Sequence, residues 1–82
     1  MKTLVNVSVP AISKSFDVLI PGFLTVKDIV PLIVCAIEEL SNNLYVSSGH
    51  ELLCLKERDI LLNQDEVIEN YGIENGDHLF LI

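Results

Sequence analysis

The 82-residue sequence has no tryptophan, three phenylalanines and two tyrosines, so aliphatic side chains must fill its core. Bases are scarce too: five Lys and Arg stand against twelve Asp and Glu, for a net charge of −7. Nucleic acid demands a basic footprint for its phosphates, and anionic membrane surfaces attract basic segments, so this balance argues against both partners. No apolar stretch approaches the ~20 residues of a spanning helix, and the opening alternates polar and apolar residues where a secretory signal would be unbroken. A cytoplasmic protein with no direct membrane insertion is expected. Cys35 and Cys54 are the only cysteines, without a CxxC spacing or a neighbouring histidine, and no metal or other cofactor is expected. Both read as free, buried thiols in a reducing compartment.

Half of the residues (50%) are hydrophobic, which is ample for one core and opposite to the signature of disorder. The length suits one domain over residues 1–82, at a size where folding hides roughly 60–65% of the unfolded surface. The charge is uneven. Residues 51–82 hold eight acids and two bases, against four acids and three bases in residues 1–50. Such a bias keeps a small protein soluble, and it would also suit a basic patch on a partner.

Val5, Val7 and Val9 alternate with Asn6 and Ser8 as a half-buried strand, which Pro10 closes. Phe16, Val18 and Ile20 form a second strand, stopped by Pro21-Gly22, and the two make a hairpin. Thr25-Val26-Lys27-Asp28 is a capping pattern that opens a helix ending near Leu40. Val26, Ile29, Val30, Ile33, Ala36, Ile37 and Leu40 share one broad face of it. Pro31 interrupts the pattern, because it cannot donate to the Lys27 carbonyl. Either the first turn is irregular or the regular helix begins nearer Asp28; the former is favoured. Glu51 to Lys56 reads as a third strand, Ile60-Leu61-Leu62 as a short fourth, and His78 to Ile82 as a fifth, delivered by the turn Asn75-Gly76-Asp77. Strands one and five should pair in parallel at the sheet centre, because the crossover through the helix is long enough.

The element order, the Thr-capped helix and the segment Tyr71-Gly72-Ile73-Glu74-Asn75-Gly76-Asp77-His78-Leu79 resemble ubiquitin. The closer resemblance is to the YukD/EsaB proteins, ubiquitin-like components of type VII secretion systems in Gram-positive bacteria. It rests on the Val26-Lys27 pair at the helix start and on the ending Ile73-x-x-Gly76-Asp77-x-Leu79, and it spans essentially the whole chain. It implies an α+β, ubiquitin-like β-grasp fold: a mixed five-stranded sheet packed on one helix. The implied role is a non-enzymatic accessory or regulatory subunit, working beside the secretion ATPase or another subunit of the membrane machine. The other ubiquitin-like reading, a carrier or modifier, calls for a C-terminal Gly-Gly, whereas the sequence ends Phe80-Leu81-Ile82.

Nothing in the residues points to catalysis. His50 and His78 are the only histidines, and neither stands beside a nucleophile with a third orienting group. The adjacent acids Glu38-Glu39 and Asp65-Glu66 do not converge across a helix face. Binding is the better reading. If Val5, Val7, Val9, Phe16, Val18, Ile20, Leu79 and Leu81 face the helix, then Leu4, Leu19, His78, Phe80 and Ile82 face outward. On strand three, Leu52 and Cys54 are expected to point in and Leu53 and Leu55 out. Leu4, Leu53, Leu55, His78 and Phe80 would then form a protein-binding patch, open to a hetero-partner or to a homodimer. Pro31, Leu32, Val34 and Cys35 lie off the helix's core face and form a second apolar surface, expected to be buried under the loop of residues 41–49.

Overall fold

The computed structural model describes residues 2–82. Alternation at the start of the chain produces β1 (Lys2–Val9), and the second alternating run produces β2 (Lys14–Pro21). They pair antiparallel from Lys2 opposite Pro21 to Val9 opposite Lys14. Between them Pro10–Ile12 makes one short 3-10 turn, closed by Ser13 in the left-handed region at φ 53°.

A single helix, α1 (Val26–Leu40), packs its aliphatic stripe across the sheet. β3 (Leu53–Leu55), β4 (Ile60–Leu61) and β5 (His78–Leu81) complete one sheet in the order β2-β1-β5-β3-β4. β5 runs parallel to β1, with Val7 opposite Leu79, and antiparallel to β3, with Leu55 opposite Leu79. The turn into β5 needs Gly76, which sits at φ 91° where a side chain would be strained. Val5, Val7, Val9, Ile29, Ile33, Ile37 and Leu79 are fully shielded from water between sheet and helix.

The start of α1 departs from expectation. Thr25 occupies the N-cap position, yet its side chain makes no capping bond and its Oγ1 is buried without a partner. The first amides are satisfied otherwise. Val26 N–H donates to the Glu66 carbonyl at 2.9 Å, Lys27 N–H to that of Gln64 at 3.0 Å, and Asp28 N–H to that of Thr25 at 3.1 Å. Nor does Pro31 make the first turn irregular or delay the helix. The helix runs unbroken from Val26 with Pro31 inside it. Pro31 has no N–H to donate to the Lys27 carbonyl, so the helix tolerates one missing bond near its start. Leu40 is more than half exposed, and Val34 takes a buried place on the stripe instead.

Candidate protein-binding face

Sheet register decides which side chains reach the outer face. Leu53 lies opposite Leu81 and Leu55 opposite Leu79, and all four are essentially fully buried. The expected phase of β3 is therefore reversed: Leu53 and Leu55 belong to the core and leave the candidate site. Leu52 and Cys54 point outward in their place, Leu52 exposed and Cys54 half-buried. The reason is geometric. Side chains directly opposite across a sheet share a face, so once Leu79 and Leu81 point in, their partners must follow.

The corrected outer face has an apolar region on β3, β4 and β5. Cys54 lies opposite Phe80 on one side and Leu61 on the other, which makes one continuous row. The next row toward the end of β5 is Leu52 and Ile82, joined by reciprocal backbone bonds of 2.7 and 2.9 Å. Leu61, Ile82 and Leu52 are 56%, 57% and 37% exposed, and Phe80 is half-buried. Lys56 partly covers Phe80, with its Nζ 5.9 Å from the ring centroid. On the β1 side Phe80 borders a depression of about 320 Å³ walled by Ser8, Lys14 and Ser15.

Leu4 also points outward, but away from this region. It pairs with Leu19 across β1 and β2, whereas Phe80 is level with Ser8. Leu4 and Ser8 are about 13 Å apart along the strand. A polar row fills the gap: Asn6 Nδ2 donates to Asp17 Oδ1 at 3.1 Å, and His78 Nδ1 lies 2.8 Å from Glu57 Oε2. The hydrogen bond with the His78 ring holds the Glu57 carboxyl below its ordinary range; slight desolvation opposes this and the His78 N–H reinforces it. The five expected site residues therefore do not form one patch. Phe80 sits in the apolar region, His78 on its polar border, Leu4 on a separate pair, and Leu53 and Leu55 inside.

The helix surface divides in a similar way. Pro31, Leu32 and Cys35 are exposed rather than covered by the loop, and only Val34 is buried. The expectation of two buried thiols fails with it: Cys35 is exposed and Cys54 only half-buried. The loop instead folds on itself around Glu51. That carboxylate is 8% exposed and accepts from Tyr45 Oη at 2.6 Å, Ser48 N–H at 2.8 Å and Ser47 Oγ at 3.2 Å. Burial alone would raise its pKa, but the hydrogen bonds from Tyr45, Ser48 and Ser47, with its own N–H, win and hold it at about 2. Tyr45 moves the opposite way, to about 12, through burial and then its bond to Glu51. A Tyr and a Glu six residues apart in a loop carry no periodic signal, so this pair was not legible beforehand. Leu52 and Cys54 left only half a trace: counting back from the outward Lys56 gives their phase, whereas counting forward from Glu51 as an outward charge gives the opposite one.

Comparison with known proteins places the chain in a family and a fold. Residues 4–81 match the family described as "WXG100 protein secretion system (Wss), protein YukD". The chain belongs to the YukD family. Its fold is that of ubiquitin-like domains. The ubiquitin-like domain of the Mycobacterium tuberculosis type VII secretion protein ECCD1 superposes with a TM-score of 0.77 at 14% identity, over 100% of this chain and 98% of that one. The EccD5 ubiquitin-like domain from Mycobacterium xenopi gives 0.70 at 15%, over 100% and 93%. Caldiarchaeum subterraneum ubiquitin gives 0.70 at 19%, over 100% and 92%. No curated protein matches the sequence significantly. Among the described residues, no helix of this YukD-family chain is long and apolar enough to cross a membrane.

Proposed function

We propose that this YukD-family domain is a non-catalytic, protein-binding subunit of a type VII secretion system, acting in the cytoplasm beside the membrane machine. Its binding face is the outer surface of β3, β4 and β5, centred on Phe80. One observation carries the reading. Phe80, Cys54 and Leu61 in one row and Ile82 and Leu52 in the next bring apolar side chains together on the outside of a sheet whose core is already filled. A contiguous apolar patch with a polar border is what protein interfaces present, and aromatic residues commonly anchor them. His78 with Glu57, and Lys56 over the Phe80 ring, supply that border.

The partner of choice is the secretion ATPase or a neighbouring subunit, because the family is defined by that system. The test is co-purification of the tagged domain with the recombinant cytoplasmic part of the cognate ATPase, followed by titration. Phe80→Glu is expected to cost about 2 kcal/mol or more of binding, while its circular dichroism and melt stay close to wild type. Full binding by Phe80→Glu would remove this face from the interface. Concentration-dependent dimerisation abolished by Phe80→Glu would reassign the face to a homodimer.

A further inference from the structure

The two edges of the sheet are built differently. β4 is two residues long and offers no template, whereas β2 is an eight-residue strand with no neighbour on its outer side. The direction of its backbone groups follows from β1. Asn6 N–H donates to the Asp77 carbonyl at 2.9 Å and Gly76 N–H to the Leu4 carbonyl at 2.9 Å, so even-numbered residues of β1 bond towards β5. Odd-numbered residues therefore bond towards β2, pairing Thr3 with Ile20, Val5 with Val18, Val7 with Phe16 and Val9 with Lys14. The N–H and C=O groups of Ser15, Asp17 and Leu19 then point away from the sheet. Among the described residues, none of the three takes part in a backbone hydrogen bond outside the strand ladder. Pro21, next in that phase, has no N–H to offer and ends the template.

We propose that the free edge of β2 is a second docking site, which takes an extended segment of a partner protein as an added strand. The occupant is specified by what stands along the edge. Asp17 is exposed at its centre, and a strand lying alongside would set a residue opposite it, where Lys or Arg is favoured. Leu19 is 56% exposed and lies opposite the likewise exposed Leu4 on the same face of the sheet, so an apolar residue beside Leu19 would extend that apolar pair. A second copy of this chain fits poorly. In full antiparallel overlap about a two-fold axis, Asp17 would lie opposite Asp17. The same Asp17 carboxylate that discourages self-pairing favours a basic residue on the added strand. This site is centred on Asp17 and Leu19, and of its residues only Ser15 also borders the depression beside Phe80.

The probe is a synthetic peptide of alternating Thr and Val with one central Lys, titrated to millimolar concentration into the isotope-labelled full chain. The amides of Ser15, Asp17 and Leu19 are expected to shift and to exchange with solvent about tenfold more slowly, whereas those of Phe16, Val18 and Ile20 stay as they are. Replacing the peptide Lys by Glu should weaken the effect, and Asp17→Lys should invert that preference. Asp17→Pro removes the central free donor without taking a bond from the β1 ladder, and should abolish docking in a chain whose spectrum remains folded. Phe80→Glu should leave peptide docking unchanged, which separates this site from the first. Absence of any change along β2 at saturating peptide, or shifts confined to Phe80 and its neighbours, would overturn the proposal. So would protection of Ser15, Asp17 and Leu19 that grows with protein concentration alone, since the occupant would then be a second copy.

Discussion

Leu53 and Leu55 alternate with Leu52 and Cys54 along one short stretch, yet the first pair is sealed in the core and the second lies on the outer face, Leu52 exposed and Cys54 half-buried. The difference lies in cross-strand partners, not in residue type: Leu81 and Leu79 oppose the inner pair, Ile82 and Phe80 the outer pair. In a run of consecutive apolar residues, inside and outside are assigned by the neighbouring strand. The outer row is consequently apolar for a reason other than core packing, and that makes it a candidate for recognition.

The largest effect expected of this contrast is in stability. Leu79→Ala and Leu53→Ala should each cost roughly 2–5 kcal/mol through the cavities left between sheet and helix, as measured by chemical denaturation. If Leu53→Ala were neutral and Cys54→Ala costly, the β3 phase would be wrong by one residue. Smaller is the loss from Tyr45→Phe, which removes the 2.6 Å bond to the buried Glu51 carboxylate and should cost about 1–3 kcal/mol. Acid sharpens that test. The folded Glu51 pKa of about 2 lies below its ordinary 4.5, so its stabilisation is complete above about pH 4.5. It is lost as the pH falls towards 2. Glu51→Gln should therefore be less stable than wild type at neutral pH, and their melting temperatures should draw together over that interval. The smallest effect belongs to the outer row: Phe80→Glu and Leu61→Ser should change stability by under about 1 kcal/mol. A large loss from either would show that the row is structural.

Much of the fold was legible because its central strands alternate cleanly. Val5, Val7 and Val9 with their polar neighbours could have only one phase, and Leu79 and Leu81 followed from pairing with them. The fold class and the parallel pairing of the terminal strands rest on those residues. The phase of β3 was not legible from its own composition, since Leu52-Leu53-Cys54-Leu55 carries no alternation. Its flanking charges also disagree: Lys56 is outward, but Glu51 is buried because Tyr45 and the Ser47-Ser48 segment satisfy it. The candidate site inherited that ambiguity, so Phe80 lies on the apolar face while Leu53 and Leu55 do not. Leu4 was displaced for another reason. The parallel register of β1 and β5 sets Leu4 beyond the level of Phe80, and a register is a property of two strands together.

The first turn of α1 has a bearing on how the molecule assembles. The amides of Val26 and Lys27 are held by the carbonyls of Glu66 and Gln64, contributed from nearly forty residues further along the chain. An isolated peptide of α1 would lack those acceptors and would carry Pro31 as an additional handicap, so its start should fray. The helix beginning is thus complete only once the segment around Gln64 and Glu66 has docked and brought its acceptors with it. In native-state hydrogen exchange, Val26 and Lys27 should open together with that distant segment rather than with the middle of their own helix. A folding experiment followed at these two amides would time the closure of the second half of the chain onto the first.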